Sequence, residues 1–290
     1  TCCDILIVGG GLAGLSLCYE LQSYGLECML IDSCTVGDNA SGCNGGFCSP
    51  GWSADRPALQ KMFGKPIAKQ FNDISREGYE WMQSMLLLPE FKKAKQGNGH
   101  LKVFLSNNYD IIGKTIDQEN KYFSEQNYLV SRRELDLYIQ TKKYKFGIFS
   151  EEAFQFNPLQ FLISLKNFLM KKGVKIFENT RMVHFNETLR NVIIRTDNGS
   201  IIEAKRIVLA TGGYAGNEIG YLRTRWLPIK TFIGVTSPFS KNLKKVIKVN
   251  LGISDNRRAG NYFRVLPDNR LLWGRDISAK RQFKINFNKQ

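Results

Sequence analysis

The run Gly9-Gly10-Gly11-Leu12-Ala13-Gly14 constrains this chain more than any other, because its G-x-G-x-x-G spacing is useful only where a strand turns into a helix. Before it, Asp4-Ile5-Leu6-Ile7-Val8 is short, β-branched and apolar, as a buried parallel strand must be. After it, Leu12, Leu15, Leu17, Tyr19 and Leu21 recur at helical spacing. Cys28-Met29-Leu30-Ile31 reads as a second strand and ends in Asp32, 23 residues after Gly9. Each part has a task in holding a dinucleotide. Gly9 permits the tight turn, Gly11 lets backbone approach a pyrophosphate, and Gly14 lets the helix pack closely on the strand. Gly10, Leu12 and Ala13 complete the loop at a helix N-terminus, which favours an anion. Asp32, with Ser33 beside it, is placed to accept hydrogen bonds from a ribose.

At 290 residues the chain is long enough for one large domain or two intertwined ones. It opens inside the first strand, with no basic region or initiator Met, as a fragment or processed product does. No apolar run approaches the roughly 20 residues that span a bilayer, so no transmembrane segment is expected. The net charge is +15, and residues 241–290 hold 7 Lys and 6 Arg against 3 Asp. A nucleic-acid interface needs that charge on one face with interleaved aromatics. Here it accompanies a chain-wide richness in Asn, Ile and Phe, so it reads as solvated surface and a nucleic-acid partner is disfavoured. All seven cysteines lie between positions 2 and 48, an odd number with no C-x-x-C, which argues against a disulfide framework or a zinc site. Two scattered histidines, His100 and His184, are too few for a metal, and none is expected. A reducing, cytoplasmic setting is expected.

Beyond Asp32 comes a small-residue loop over 36–50, centred on Ala40-Ser41-Gly42-Cys43-Asn44-Gly45-Gly46. Glycine at that density allows close backbone approach to a ligand. The apolar spacing predicts a long amphipathic helix over 65–88, while 98–140 is mixed, with a strand-like piece at 101–105. Asn157-Pro158 opens a helix that runs to about 172 and stops at Gly173. Strands follow at 174–177, 181–185 and 192–196, then a hairpin turn at Asp197-Asn198-Gly199-Ser200. Residues 206–210 form a buried strand running into Thr211-Gly212-Gly213, where ligands bind in folds of this kind. A last turn falls at Pro267-Asp268-Asn269.

Four stretches together resemble the D-amino-acid oxidase superfamily of FAD-dependent oxidoreductases. The first is the N-terminal unit ending in Asp32. The second, Ala40 through Gly46, is similar to the A-S-G-R-N-G-G signature of its gamma-glutamylputrescine oxidase-like branch. The third, Val208-Leu209-Ala210-Thr211-Gly212-Gly213-Tyr214-Ala215-Gly216-Asn217, is similar to the strand that returns the chain to the cofactor. The fourth, from Tyr262 to Gly274, is similar to the Y-x-R-x-x-P-D-G-R-L-L-x-G hairpin of the substrate domain.

The resemblance implies an α/β protein: a glutathione-reductase-like, Rossmann-type FAD-binding domain with an interleaved α+β substrate domain. The expected FAD domain is 1–80 with 145–220, and the substrate domain 81–144 with 221–290. Ser41, Asn44, Gly45 and Gly46, with Ala40, are expected along the pyrophosphate and flavin side of the FAD. Val183 is expected to meet the adenine through its backbone, with Thr211 and Gly212 beside the cofactor. Arg264, less so Arg275, is the candidate for a substrate carboxylate, and Tyr262 a candidate substrate contact. The implied reaction oxidises the C–N bond of a small-molecule amine or amino acid to an imine that hydrolyses, and no residue is assigned as catalytic. Two departures from the pattern bear on activity. Cys43 stands where the signature has arginine, and the family's C-terminal stretch, which returns to the FAD domain, has no counterpart up to Gln290. Two alternatives stand beside this reading: a tRNA-uridine modification oxidase domain, which the positive charge suits, and a non-catalytic or degenerate flavin-binding fragment.

Overall fold

The computed structural model describes residues 1–123, 126–215, 220, 225, 227–240, 243–257 and 259–279. Gly216, Asn217 and residues 280–290 of the stretches above lie outside them. The chain divides into two compact units. Unit 1 takes Thr1–Asn44, Pro158–Thr231 and the chain from Ile277; unit 2 takes Gly45–Asn157 and Phe232–Asp276. The boundaries expected at 80 and 145 therefore fall at 44/45 and 157/158 instead.

Unit 1 is built on a six-stranded sheet. Strands β1 (Cys2–Val8), β2 (Cys28–Ile31), β7 (Lys175–Phe177) and β10 (Ile201–Leu209) lie in the order β7-β2-β1-β10, all parallel. Beyond β10 the sheet turns antiparallel through β9 (Val192–Thr196) and β8 (Met182–Glu187). Parallel neighbours need long crossovers, and helix α1 (Leu12–Ser23) supplies the one from β1 to β2. Helix α4 (Pro158–Lys171) packs on α1 and on β7, with Tyr19 and Phe168 in ring contact at 5.8 Å. Alternation along the strands gives Leu6 and Val8 of β1, Met29 and Ile31 of β2, and Ile194 and Ile202 to one buried cluster. This is a Rossmann-type α/β arrangement, as the strand–glycine turn–helix–strand reading requires.

Unit 2 carries an eight-stranded sheet in the order β11-β14-β13-β12-β4-β6-β3, with β5 also on β6. Its members are β3 (Phe47–Cys48), β4 (Lys95–Phe104), β5 (Asn127–Val130), β6 (Phe146–Phe156), β11 (Lys230–Val235), β12 (Gly252–Asp255), β13 (Tyr262–Val265) and β14 (Leu271–Ser278). The β13–β14 hairpin closes with Leu266 N–H donating to Arg270 O, and Asn269 takes the left-handed conformation (φ 60°). The family hairpin has glycine there, and asparagine is among the residues that tolerate that conformation best.

Helix α2 (Arg56–Met85) starts nine residues before the predicted 65. The Asp55 carboxylate caps it by accepting from Ala58 N–H at 2.9 Å. Gly64 (φ 79°, ψ 163°) then breaks the helix just ahead of Pro66, which has no N–H to continue the ladder. The apolar periodicity is regular only beyond this kink, which is why the sequence shows the second segment and hides the first. Residues 98–140, unreadable by pattern, hold much of β4, helix α3 (Tyr109–Phe123) and β5. Among the described residues, no helix is long and apolar enough to cross a membrane.

Candidate functional site

The carboxyl ends of β1, β2, β7 and β10 lie along one edge of the unit 1 sheet, and ligands bind at that edge in open α/β folds. A cavity of about 120 Å³ opens there. Its wall includes Gly9, Gly10 and Gly11 from the first turn, Asp32 and Ser33 after β2, and Ala40 and Ser41 from the small-residue loop. Thr211 and Gly212 after β10 complete it, so nine of the expected residues meet around one space.

The glycines are there for reasons that the atoms make plain. A methyl group on Gly9, whose φ is +115°, would lie 2.5 Å from the Ala210 carbonyl oxygen. One on Gly14 would lie 1.9 Å from the carbonyl oxygen of Gly9, so the helix seats directly on the turn. At Gly11 the nearest atom is Ser41 Oγ, 2.8 Å from where a Cβ would stand. That hydroxyl accepts from Leu12 N–H at 3.0 Å, satisfying one of the orphan donors of α1 from a loop 29 residues away.

Asp32 has a second task that sequence reading missed. Its Oδ2 accepts from Gly10 N–H at 2.6 Å and its Oδ1 from Cys34 N–H at 2.8 Å. The carboxylate thus pins the glycine turn as well as facing the cavity. Backbone bonds then clasp this segment to the end of β7: Asp32 N–H to Phe177 O at 2.9 Å, and Thr180 N–H to Asp32 O at 2.7 Å. Glu178 accepts from Val36 N–H at 2.7 Å and pairs with Lys166 at 3.0 Å.

This clasp brings Thr180, Arg181 and Met182 into the wall, residues that the sequence reading passed over. The available signal was the end of β7, a strand whose carboxyl edge had to fall beside Asp32. Val183 is 44% exposed and is not in the wall; its two predecessors are. Leu12, Ala13 and Gly14 begin α1 behind the turn and do not line the cavity either, and nor does Asn44, whose amide donates to Ala40 O and Ser41 O. Gly45 and Gly46 belong to unit 2.

These residues fit the pyrophosphate end of a dinucleotide. The turn has no room for side chains, a helix N-terminus adjoins it, and an acid lies at the end of the neighbouring strand.

In unit 2, Arg264 is 4% exposed and its guanidinium is committed to the protein. Nε donates to Gly45 O at 2.9 Å, Nη1 to Gln96 Oε1 at 2.6 Å and Nη2 to Phe156 O at 2.9 Å. Burial pulls its pKa down to about 10. This corrects the expectation of a carboxylate fork: the hairpin arginine faces inward and ties three segments together. Tyr262 is likewise a packing residue. Its ring meets Phe47 edge-on at 5.6 Å and covers Gly45 and Gly274, where added Cβ atoms would lie 2.8 and 1.9 Å from it. Arg275 pairs with Asp276 at 2.9 Å.

His100 on β4 bonds Ser254 Oγ through Nε2 at 2.9 Å and meets Phe47 edge-on at 5.9 Å. Burial, and then the charge of Lys102, push its pKa from 6.5 down to about 4. The folded chain therefore holds this ring neutral where the unfolded chain would protonate it. Its contribution to stability is complete above pH 6.5 and is lost as pH falls towards 4. Urea unfolding should show stability dropping by about 3 kcal/mol through that window, and His100→Gln should flatten the slope. An unchanged slope in the variant refutes the assignment.

The family model for FAD dependent oxidoreductases (DAO) matches residues 4–288. A probable oxidoreductase OrdL of Rhizobium meliloti is 27% identical over 95% of this chain and 67% of its own length. The gamma-glutamylputrescine oxidoreductase of Escherichia coli is 23% identical over 94% of this chain and 64% of its own. The chain thus spans about two thirds of the length of these curated relatives. Among solved structures, L-proline dehydrogenase from P. horikoshii matches with a TM-score of 0.73 at 16% identity, over 98% of this chain and 73% of that one. Glycine oxidase from Bacillus cereus matches with a TM-score of 0.71 at 16% identity, over 93% of this chain and 70% of that one. At such identity these two matches speak for the fold.

Proposed function

The chain belongs to the family of FAD-dependent oxidoreductases, and from that premise we propose that it oxidises the C–N bond of a small amine or amino acid to an imine, which water then hydrolyses. The observation that carries the cofactor half is the single cavity wall formed by the glycine turn, Asp32, Ser41 and Thr211. FAD, when bound, supplies the acceptor for the two electrons that leave the C–N unit. The chain's own residues bind and orient it. Backbone N–H groups of the glycine turn and the start of α1 meet the pyrophosphate, and Asp32 meets the adenosine ribose. Carboxylate oxygens accept more than one bond each, so Asp32 can hold Gly10 and Cys34 and still take a ribose hydroxyl. The adenine end lies against Thr180, Arg181 and Met182, the residues just before the Val183 first expected there. The relatives named above support the amine or amino-acid half. Seven cysteines, none of them paired, support a reducing compartment such as the cytoplasm.

The test measures FAD affinity and flavin reduction by a panel of amines and amino acids without oxygen. Asp32→Ala is expected to weaken FAD retention about 100-fold, because it removes a ribose acceptor and frees the turn that it pins. The wild type is expected to bleach its flavin with at least one panel member. Wild-type FAD affinity in the variant refutes the assignment of Asp32, and a flavin that no amine reduces refutes the reaction.

A further inference from the structure

Thr35, Gly37, Asn39, Ala40 and Ser41 of the cavity wall all come from one loop between β2 and β3, within unit 1. No ladder holds such a loop, so its position depends on what it is tied to. Its own turns are local: Asp38 N–H donates to Thr35 O, and the N–H groups of Gly42 and Cys43 to Asn39 O. These bonds shape the loop without fixing it to the sheet. At its far end the Ser41 hydroxyl holds Leu12 N–H of α1. At its near end Val36 N–H donates to Glu178 Oε1 at 2.7 Å. Between the two, Gly37 lies so close to Leu159 of α4 that a Cβ there would overlap it.

Glu178 is itself held in place. The Lys166 ammonium, also on α4, donates to both of its carboxylate oxygens, each at 3.0 Å. Val36 is 2% exposed, so its N–H has no ready water if the carboxylate withdraws. An ionised acceptor makes the stronger bond to such a donor. We propose that Glu178, oriented by Lys166, is a positioning residue for the cofactor, holding the loop where Ala40 and Ser41 form the cavity wall. The proposal rests on the FAD reading above. A buried hydrogen bond to a charged group is strong enough to favour the seated loop by at least about 10 to 1. Without that bond, FAD has to select a minor seated population, and its apparent affinity falls by the same factor.

The experiment measures FAD affinity by flavin fluorescence and amide hydrogen exchange across unit 1, on the whole chain with and without FAD. Glu178→Ala is expected to bind FAD about 10-fold more weakly or worse. Exchange at residues 35–41 should quicken in the free variant and return to wild-type protection once FAD saturates it. Glu178→Gln keeps an oxygen for Val36 N–H and should recover affinity to within about 3-fold of wild type. Lys166→Met loses only the orienting cation and should fall between these two. A mere staple between α4 and the end of β7 behaves differently: the unfolding midpoint falls, exchange rises along α4 and β7 as well, and FAD affinity stays. That result overturns the proposal, as does wild-type exchange at 35–41 in Glu178→Ala. If Glu178→Ala does not fold, Lys166→Met decides, and wild-type FAD affinity in it overturns the proposal. A wild type that binds no FAD removes the cofactor reading and the proposal together. Equal FAD binding by the wild type and Glu178→Ala removes the proposal alone.

Discussion

Replacing Arg264 with methionine is expected to lower the unfolding free energy by about 3 kcal/mol, with or without cofactor. Methionine keeps much of the volume but donates nothing. It leaves Gly45 O, Phe156 O and Gln96 Oε1 without the guanidinium that now serves them. A buried acceptor that loses its donor costs about 1–3 kcal/mol, and the Gly45 carbonyl is one such. Against that, the variant no longer buries a cation, whose depressed pKa of about 10 records its own desolvation cost, so the net loss falls below the plain sum. Lysine is no substitute, because one ammonium cannot serve acceptors arranged for a planar fork. Denaturant midpoints decide the matter. If Arg264 instead binds substrate, its loss raises KM and leaves the midpoint where it was.

Gly14→Ala should be comparably damaging and should also remove the cofactor. The new methyl would stand 1.9 Å from Gly9 O and 3.2 Å from Ile7 Cγ2, so α1 must lift away from β1. That shift carries the first N–H groups of the helix away from the position proposed for the pyrophosphate. FAD affinity is expected to fall more than about 100-fold and stability by about 2–3 kcal/mol. Gly78→Ala is the matching control. It lies in the body of α2 with nothing within 4 Å of the added carbon, so it should stabilise by about 0.5–1 kcal/mol. Intact FAD binding in Gly14→Ala would contradict the close seating of the helix.

Local devices were the ones that the sequence made legible. The glycine turn, its flanking strands and helix, and Asp32 are written in contiguous residues, and so is the Asp197-Asn198-Gly199-Ser200 turn, where Thr196 N–H meets Ser200 O. What escaped was set by partners distant in the chain. Ser41 caps α1 from another loop, Glu178 reaches Val36 across 142 positions, and Arg264 turns inward to a carbonyl 219 residues away. A hairpin arginine looks exposed by pattern, and only its bonds to Gly45, Gln96 and Phe156 show otherwise. That Met182 lines the cavity while Val183 does not has the same origin. Strand alternation makes neighbours point apart, and the face is chosen by the sheet.

The placement of β10 beside β1 also sets a timetable for synthesis. Val8 pairs with Leu209, so the strand that opens the cofactor turn waits about 200 residues for its second neighbour. At ribosomal rates that is roughly 10–40 s in which β1 and β2, nearly all apolar, are a nascent sheet with a bare edge. The cavity proposed for FAD is complete only after Thr211 has emerged, so the cofactor is expected to act as a folding ligand late in synthesis.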